Sequence, residues 1–165
     1  MSVTVRPPRR DEIGALWALV REFADYNREP NLVTGSPETL SEKIFSDTWP
    51  VFECLVAESN GRLVGFAAML GAYAIFRTQP TMWLEDLFVT ESARGTGAGK
   101  ALIAAVAEAA VRRGCLRMGW SVSDWNAPSI AFYEHLGAVR HTGEHIYLLG
   151  GEKLTALAAL AAASR

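Results

Sequence analysis

The chain has 165 residues, 16 of them basic and 18 acidic, for a formal net charge of −2; half are hydrophobic and 21% are charged. That balance excludes a disordered chain, which combines low hydrophobicity with high net charge. It also argues against a protein built to neutralise phosphate backbones, so no nucleic-acid partner is expected. The length suits one domain over residues 1–165 with a core of its own.

Residues 3–6 form a short strand that ends at Pro7-Pro8. From Arg10 the pattern turns helical, with Leu16, Leu19, Val20 and Phe23 at i, i+3, i+4 and i+7. Ser36-Pro37-Glu38 supplies a cap, a proline at the first helical position and an early acid, and opens a second helix. The period then changes to two. Residues 53–58 read as a strand, Asn60-Gly61 as a hairpin turn, residues 62–73 as the return strand and residues 82–89 as a third. Residues 97–113 form a helix, with Gly114 at its C-terminal cap. A strand over 116–122, a helix opened by Asn126-Ala127-Pro128, strand-like residues 139–149 with a turn at Gly143, and a helix over 152–163 complete the order. The class is α/β in the broad, α+β sense: a mixed sheet flanked by helices, without regular βαβ alternation.

Cys54 and Cys115 lie far apart in apolar stretches and read as reduced thiols. The first residues lack the apolar stretch of a signal peptide. The longest uncharged run, residues 63–76, is shorter than the roughly 18–20 residues a membrane span needs. A soluble, cytoplasmic protein with no membrane partner is expected.

Three constellations carry chemistry. The first is Arg94-Gly95-Thr96-Gly97-Ala98-Gly99-Lys100, between a strand and a helix. Three alternating glycines remove side chains where backbone must come close, and a helix N-terminus suits a phosphate. It fits neither G-x-G-x-x-G nor the P-loop, and without a ligand it is a tight turn. The second is the adjacent pair Glu85 and Asp86 in the apolar strand Trp83-Leu84-Glu85-Asp86-Leu87-Phe88-Val89. Alternation puts Glu85 with Trp83, Leu87 and Val89, and Asp86 on the other face. A buried carboxylate needs a partner or has its pKa raised, which suits a general base or a cation-binding acid. The alternative is one ion-paired acid and one at a solvent-facing edge. The third is Asn126-Ala127-Pro128-Ser129-Ile130-Ala131-Phe132-Tyr133. Asn126 fits an N-cap, and a tyrosine two turns into a helix is ordinarily a packed side chain. His141-Thr142-Gly143-Glu144-His145 matches a zinc-peptidase string, but that motif needs a helix, and Gly143 sits in a strand-turn region, so no metal is expected.

Together these pieces resemble the GCN5-related N-acetyltransferases, and within them the diamine (spermidine/spermine) and thialysine acetyltransferases. The resemblance rests on Leu84 through Val89, on Arg94 through Gly99 and on Asp124 through Tyr133, and covers most of residues 3–149. It implies the mostly antiparallel sheet of that family and acetyl-CoA as the acyl donor. It implies that Leu87, Phe88 and Val89 offer backbone groups to the acetyl and pantetheine arm. Arg94, Gly95, Thr96, Gly97, Ala98, Gly99 and Lys100 would hold the pyrophosphate. Asn126, Ala127, Pro128 and Ser129 would flank the pantetheine, and Tyr133 would face the sulfur as an acid. Glu85 would meet the substrate amine.

Two departures bear on the substrate. Where the polyamine enzymes carry an acid after the tyrosine that ends the first helix, Tyr26 is followed here by Asn27, and Gly119, Trp120 and Ser121 also differ in the amine site. A long polycation needs several spaced carboxylates, so a short diamine or amino-acid-like amine is expected. The reading is an N-acetyltransferase acting on a small amine (diamine, polyamine or amino-acid-like amine) by direct transfer in a ternary complex, dimeric as its family usually is. The alternatives are a non-catalytic acyl-CoA-binding domain, which would need neither Glu85 nor Tyr133, and an enzyme acting on a protein amine.

Overall fold

The computed structural model describes residues 3–46, 52–143 and 146–163. Two compact units divide the chain, Met1–Ser121 and Val122–Arg165. In the first, β1 (Val3–Arg6), β2 (Glu53–Ser59), β3 (Arg62–Ala74), β4 (Gln79–Val89) and β5 (Met118–Gly119) form one sheet in that order. The first four are antiparallel; β5 runs parallel to β4. The unit's helices are α1 (Ile13–Tyr26), α2 (Pro37–Ile44) and α3 (Ala98–Arg112). The mixed, mostly antiparallel sheet with helices is the expected class.

Local chemistry sets these elements. Asn60 and Gly61 have φ of 51° and 72°, the two positive values that a type I′ hairpin turn requires. Ser36 caps α2, its Oγ accepting the Thr39 N–H at 3.3 Å, with Pro37 in the first turn. The end of α1 closes without glycine: Arg28 takes φ 64°, and the Glu29 N–H donates to the Ala24 carbonyl at 2.9 Å.

Alternation along β3 sends neighbours to opposite faces. Phe66 packs with Phe88, Val56, Cys54 and the α1 residues Ile13, Leu16 and Leu19. Gly65 faces α3, and Leu102 and Val106 of that helix are fully buried. A Cβ at Gly65 would stand 2.5 Å from the Phe88 carbonyl oxygen and 3.3 Å from Leu102 Cδ1, so only glycine lets β3, β4 and α3 close up there.

The unit Val122–Arg165 contains α4 (Ala127–His135) and α5 (Gly151–Ala163). Two expected strands are corrected. The strand over 116–122 reduces to Met118–Gly119. Among the described residues of 139–149, none is in a strand. A strand exists only where a neighbour receives its N–H and C=O groups, and this segment has the apolar pattern without the ladder. Val139, Tyr147 and Leu148 are about nine-tenths exposed, at 90%, 88% and 93%. Glu144 and His145 lie outside the described residues; His141 is in irregular chain and not on a helix. Among the described residues no helix is long and apolar enough to cross a membrane.

Candidate active site

The Glu85–Asp86 pair sits at a break in the sheet. Ala68 of β3 pairs with Asp86 and Met69 with Leu84, so Glu85 is an extra residue, a β-bulge. The bulge corrects the expected alternation. Because residues paired across a ladder share a face, Leu87 and Val89 lie with Leu84 and Met82, whereas Trp83 lies with Asp86 and Phe88. Glu85 is exposed, and its Oε2 accepts the Trp83 indole N–H at 2.9 Å. Asp86 is the half-buried member, its carboxyl pushed up to about 6 by burial first and by Glu85 second. Among the described residues no ion pair compensates it, so the ion-paired alternative does not describe this acid. It raises the buried Cys54 thiol in turn, after burial itself has done most of that work.

The bulge also opens the sheet. β5 pairs with β4 only at Met82↔Met118 and Trp83↔Gly119, two residues short of the bulge. A bulge bends and twists its strand, so the β4–β5 ladder stops there, which accounts for the shortened β5. From Leu84 to Val89 the edge of β4 away from β3 carries no strand among the described residues. Phe88 turns its carbonyl toward β3, against Gly65. Alternation then directs the backbone groups of Leu87 and Val89 to the open edge, where the Val89 carbonyl accepts Arg94 Nε–H at 3.2 Å.

That edge runs into the glycine loop. Gly95 and Gly97 have φ of 77° and 91°, a region that side-chain-bearing residues avoid. Gly97 is the N-cap of α3, and its carbonyl accepts the Ala101 N–H at 2.9 Å. The N–H groups of Ala98, Gly99 and Lys100 fall in the turn that a helix leaves without internal partners. Thr96 Oγ1–H donates to the Ala93 carbonyl at 2.7 Å, bracing the loop. Lys100 is exposed at the helix start. The loop can therefore present backbone donors and positive charge to one polyanion.

Tyr26 meets this loop: the Arg94 guanidinium lies 4.5 Å from its ring centroid. No sequence signal pairs these two residues. Asn27 caps α1, its N–H donating to the Phe23 carbonyl. Gly119 lies against the Trp83 ring, Trp120 is half-buried and Ser121 exposed. Trp83 is the site residue that sequence reasoning missed, although its spacing of two from Glu85 on a strand was the available signal.

In the second unit Asn126 is buried and caps α4, its Oδ1 accepting the Ser129 N–H at 3.3 Å, with Ala127 and Pro128 exposed in the first turn. Tyr133 is half-buried beside Phe132, ring centroids 5.3 Å apart, and its carbonyl accepts the Ala138 N–H.

The acetyltransferase (GNAT) family model matches residues 16–138. Thialysine N-epsilon-acetyltransferase of Bos taurus is 32% identical over 167 residues, covering 94% of this chain and 97% of that protein. L-ornithine N5-acetyltransferase of Arabidopsis thaliana is 37% identical over 95 residues, 58% of this chain and 42% of that one. Among solved structures, an integron cassette protein of V. cholerae superposes with a TM-score of 0.80 at 25% identity, over 96% of this chain and 98% of that one.

Proposed function

The chain belongs to the GNAT family of acetyltransferases and is an N-acetyltransferase, and from that premise we propose direct transfer of an acetyl group from acetyl-CoA to a small diamine or amino-acid-like amine. The observation that carries this reading is the open edge of β4 leading into the Arg94–Lys100 loop. Acetyl-CoA, when bound, supplies an activated acetyl thioester. The residues present suit it: positive-φ glycines and the α3 N-terminus for the pyrophosphate, and Leu87 and Val89 backbone groups for the arm. Asn126, Ala127, Pro128 and Ser129 flank the pantetheine in this reading.

The chain's own residues then have two proton tasks. An ammonium must lose a proton before it can attack; Glu85, exposed beside the bulge, meets the amine, draws that charge in, and its carboxylate carries the released proton away to solvent. Tyr133 donates its phenolic proton to the departing thiolate. Neither a metal nor a covalent enzyme intermediate has a part in this scheme. Tyr26, Asn27, Gly119, Trp120 and Ser121 line the amine's side, and Asn27, where the polyamine enzymes carry an acid, favours a short substrate. Relatives named for thialysine and ornithine support an amino-acid-like amine.

All 165 residues serve as one catalytic domain in this reading, in a cytoplasmic homodimer without nucleic-acid or membrane partners. Two free cysteines and the exposed Leu154, Leu157 and Leu160 of α5 support it. The test is a panel of thialysine, ornithine, lysine, putrescine, spermidine, spermine and an amino alcohol, scored by free-thiol release from acetyl-CoA. Thialysine, ornithine or a short diamine should lead. A clear preference for spermine over every shorter amine overturns the substrate assignment, and thiol release with none of them overturns the small-amine reading.

A further inference from the structure

We propose that Trp83 is the positioning residue for Glu85, and that Gly119 is glycine so that the Trp83 indole can lie where it does. This rests on the reading that Glu85 meets the amine, and adds what holds Glu85 ready. As the bulge residue, Glu85 has no partner on β3, and its side chain is exposed. A glutamate in that setting is free to sample many rotamers, and ordering it when the amine binds would weaken binding. Trp83 removes that freedom in advance. It is the last residue held on both sides, paired with Leu70 on β3 and Gly119 on β5. From that fixed point its Nε1–H donates to Glu85 Oε2 at 2.9 Å. A hydrogen bond to a carboxylate is among the stronger kinds, and the donor takes no proton from the acid.

Gly119 completes the device. A Cβ there would stand 3.2 and 3.3 Å from two carbons of the Trp83 six-membered ring. A side chain at 119 therefore presses on the indole, which must give by a few tenths of an ångström and carry the donor with it. The chain thus couples a residue of β5 to the acid on the bulge through one aromatic ring.

Three variants and two readouts test this. Trp83→Phe keeps an aromatic ring and removes the donor; Gly119→Ala keeps the donor and displaces it; Glu85→Gln removes the carboxylate charge. The amine with the highest kcat/KM in the panel above is the substrate. Trp83→Phe should raise the amine KM about tenfold, the lower end for a hydrogen bond to a charged group, with acetyl-CoA affinity unchanged and kcat within about threefold, since the acid itself remains. Gly119→Ala, which moves the ring by a fraction of an ångström, should raise KM in the same direction and by less. A purely structural role for Trp83 would lower the melting temperature and leave KM alone. The second readout needs no substrate. The Trp83 indole N–H resonance, identified by its loss in Trp83→Phe, should move upfield in Glu85→Gln as a charge-assisted bond becomes a neutral one. If Glu85→Gln raises KM and the other two do not, the proposal falls and the role of Glu85 survives. If Glu85→Gln leaves KM unchanged, the role of Glu85 falls and the proposal with it. If none of the five indole N–H resonances moves in Glu85→Gln, the proposal is overturned by that alone, also where Trp83→Phe fails to fold.

Discussion

Asp86 shows what a buried acid does to a fold. Its carboxyl is pushed up to about 6, above the 3.8 of an unburied aspartate. A raised folded-state value means that the stability Asp86 contributes is fully present below about 4 and lost as pH rises through about 6. At neutral pH the sheet therefore carries an ionised group that it would hold more easily as the neutral acid. Asp86→Asn should be more stable than the wild type above pH 6, by roughly 1–3 kcal/mol, and melt at a higher temperature there, with the advantage gone by pH 4. Thermal melts from pH 4 to 8 check it; parallel curves would show that burial leaves this carboxyl unperturbed. Tyr133 poses a different question at the same scale. A phenol carries a proton that it can give to a leaving thiolate. Tyr133→Phe keeps the ring beside Phe132 and should keep acetyl-CoA affinity, yet slow turnover by roughly 10²–10⁴. Turnover within about threefold of wild type at saturating amine would return Tyr133 to a packing role.

Among the elements, the glycine loop gives the sharpest expectation. Nothing stands within 4 Å of a Cβ built on Gly97, so space does not restrict that position. Its φ of 91° does. Gly97→Val forces the α3 N-cap out of the left-handed region and turns the first N–H groups of the helix. Acetyl-CoA affinity, followed by calorimetric titration, should fall at least tenfold while the domain stays folded. Unchanged affinity would remove the pyrophosphate from this loop. Much at this scale was legible in the sequence. Asn60-Gly61, Ser36-Pro37 and Asn126 announced their turn and caps because each acts through its own neighbours. The loop at 94–100 was legible for the same reason. What could not be read depended on partners across the sheet. Nothing in Trp83-Leu84-Glu85-Asp86 says that β3 skips a residue, so the face of every side chain before Glu85 was assigned against the wrong neighbours. Residues 116–122 look like a strand, but the ladder they join ends where β4 bulges. Residues 139–149 have strand composition, which is a fit to a pleated surface and not a guarantee of one.

At the scale of the molecule, one arginine ties the N-terminal strand to the rest of its unit. Arg6 on β1 donates to Glu12, at 2.6 Å, and to Glu58 of β2. The bond from Arg6 leads the effects on Glu12, and together they hold its carboxyl down at about 2, against 4.5 for an unperturbed glutamate. A lowered value places its stabilisation above about 4.5 and removes it as pH falls toward 2. Glu12→Gln should therefore be less stable than wild type at neutral pH, and the two should converge in acid. Denaturant melts at pH 7 and pH 2.5 compare them; a constant difference at both would show that packing, and not the ion pair, accounts for the effect.

The neighbour-to-neighbour order of the sheet also has a history written into it. β2 and β3 are joined by Asn60-Gly61, and β3 and β4 by one short turn through Ile75–Arg77, so three strands can zip together as soon as they leave the ribosome. β1 must hold its ends open across α1 and α2, and β5 must await the whole of α3, before either finds its neighbour. Closing those longer loops costs entropy that no local contact returns in advance. Loop-closure cost therefore favours assembly from the centre outward, with the β4–β5 junction beside which Glu85 and Trp83 lie among the last parts expected to form. In pulsed hydrogen exchange the amides of β2, β3 and β4 should gain protection before those of β1 and β5; protection gained by all five together would overturn that order. On that order a refolding molecule would build most of its sheet before the junction on which its chemistry depends.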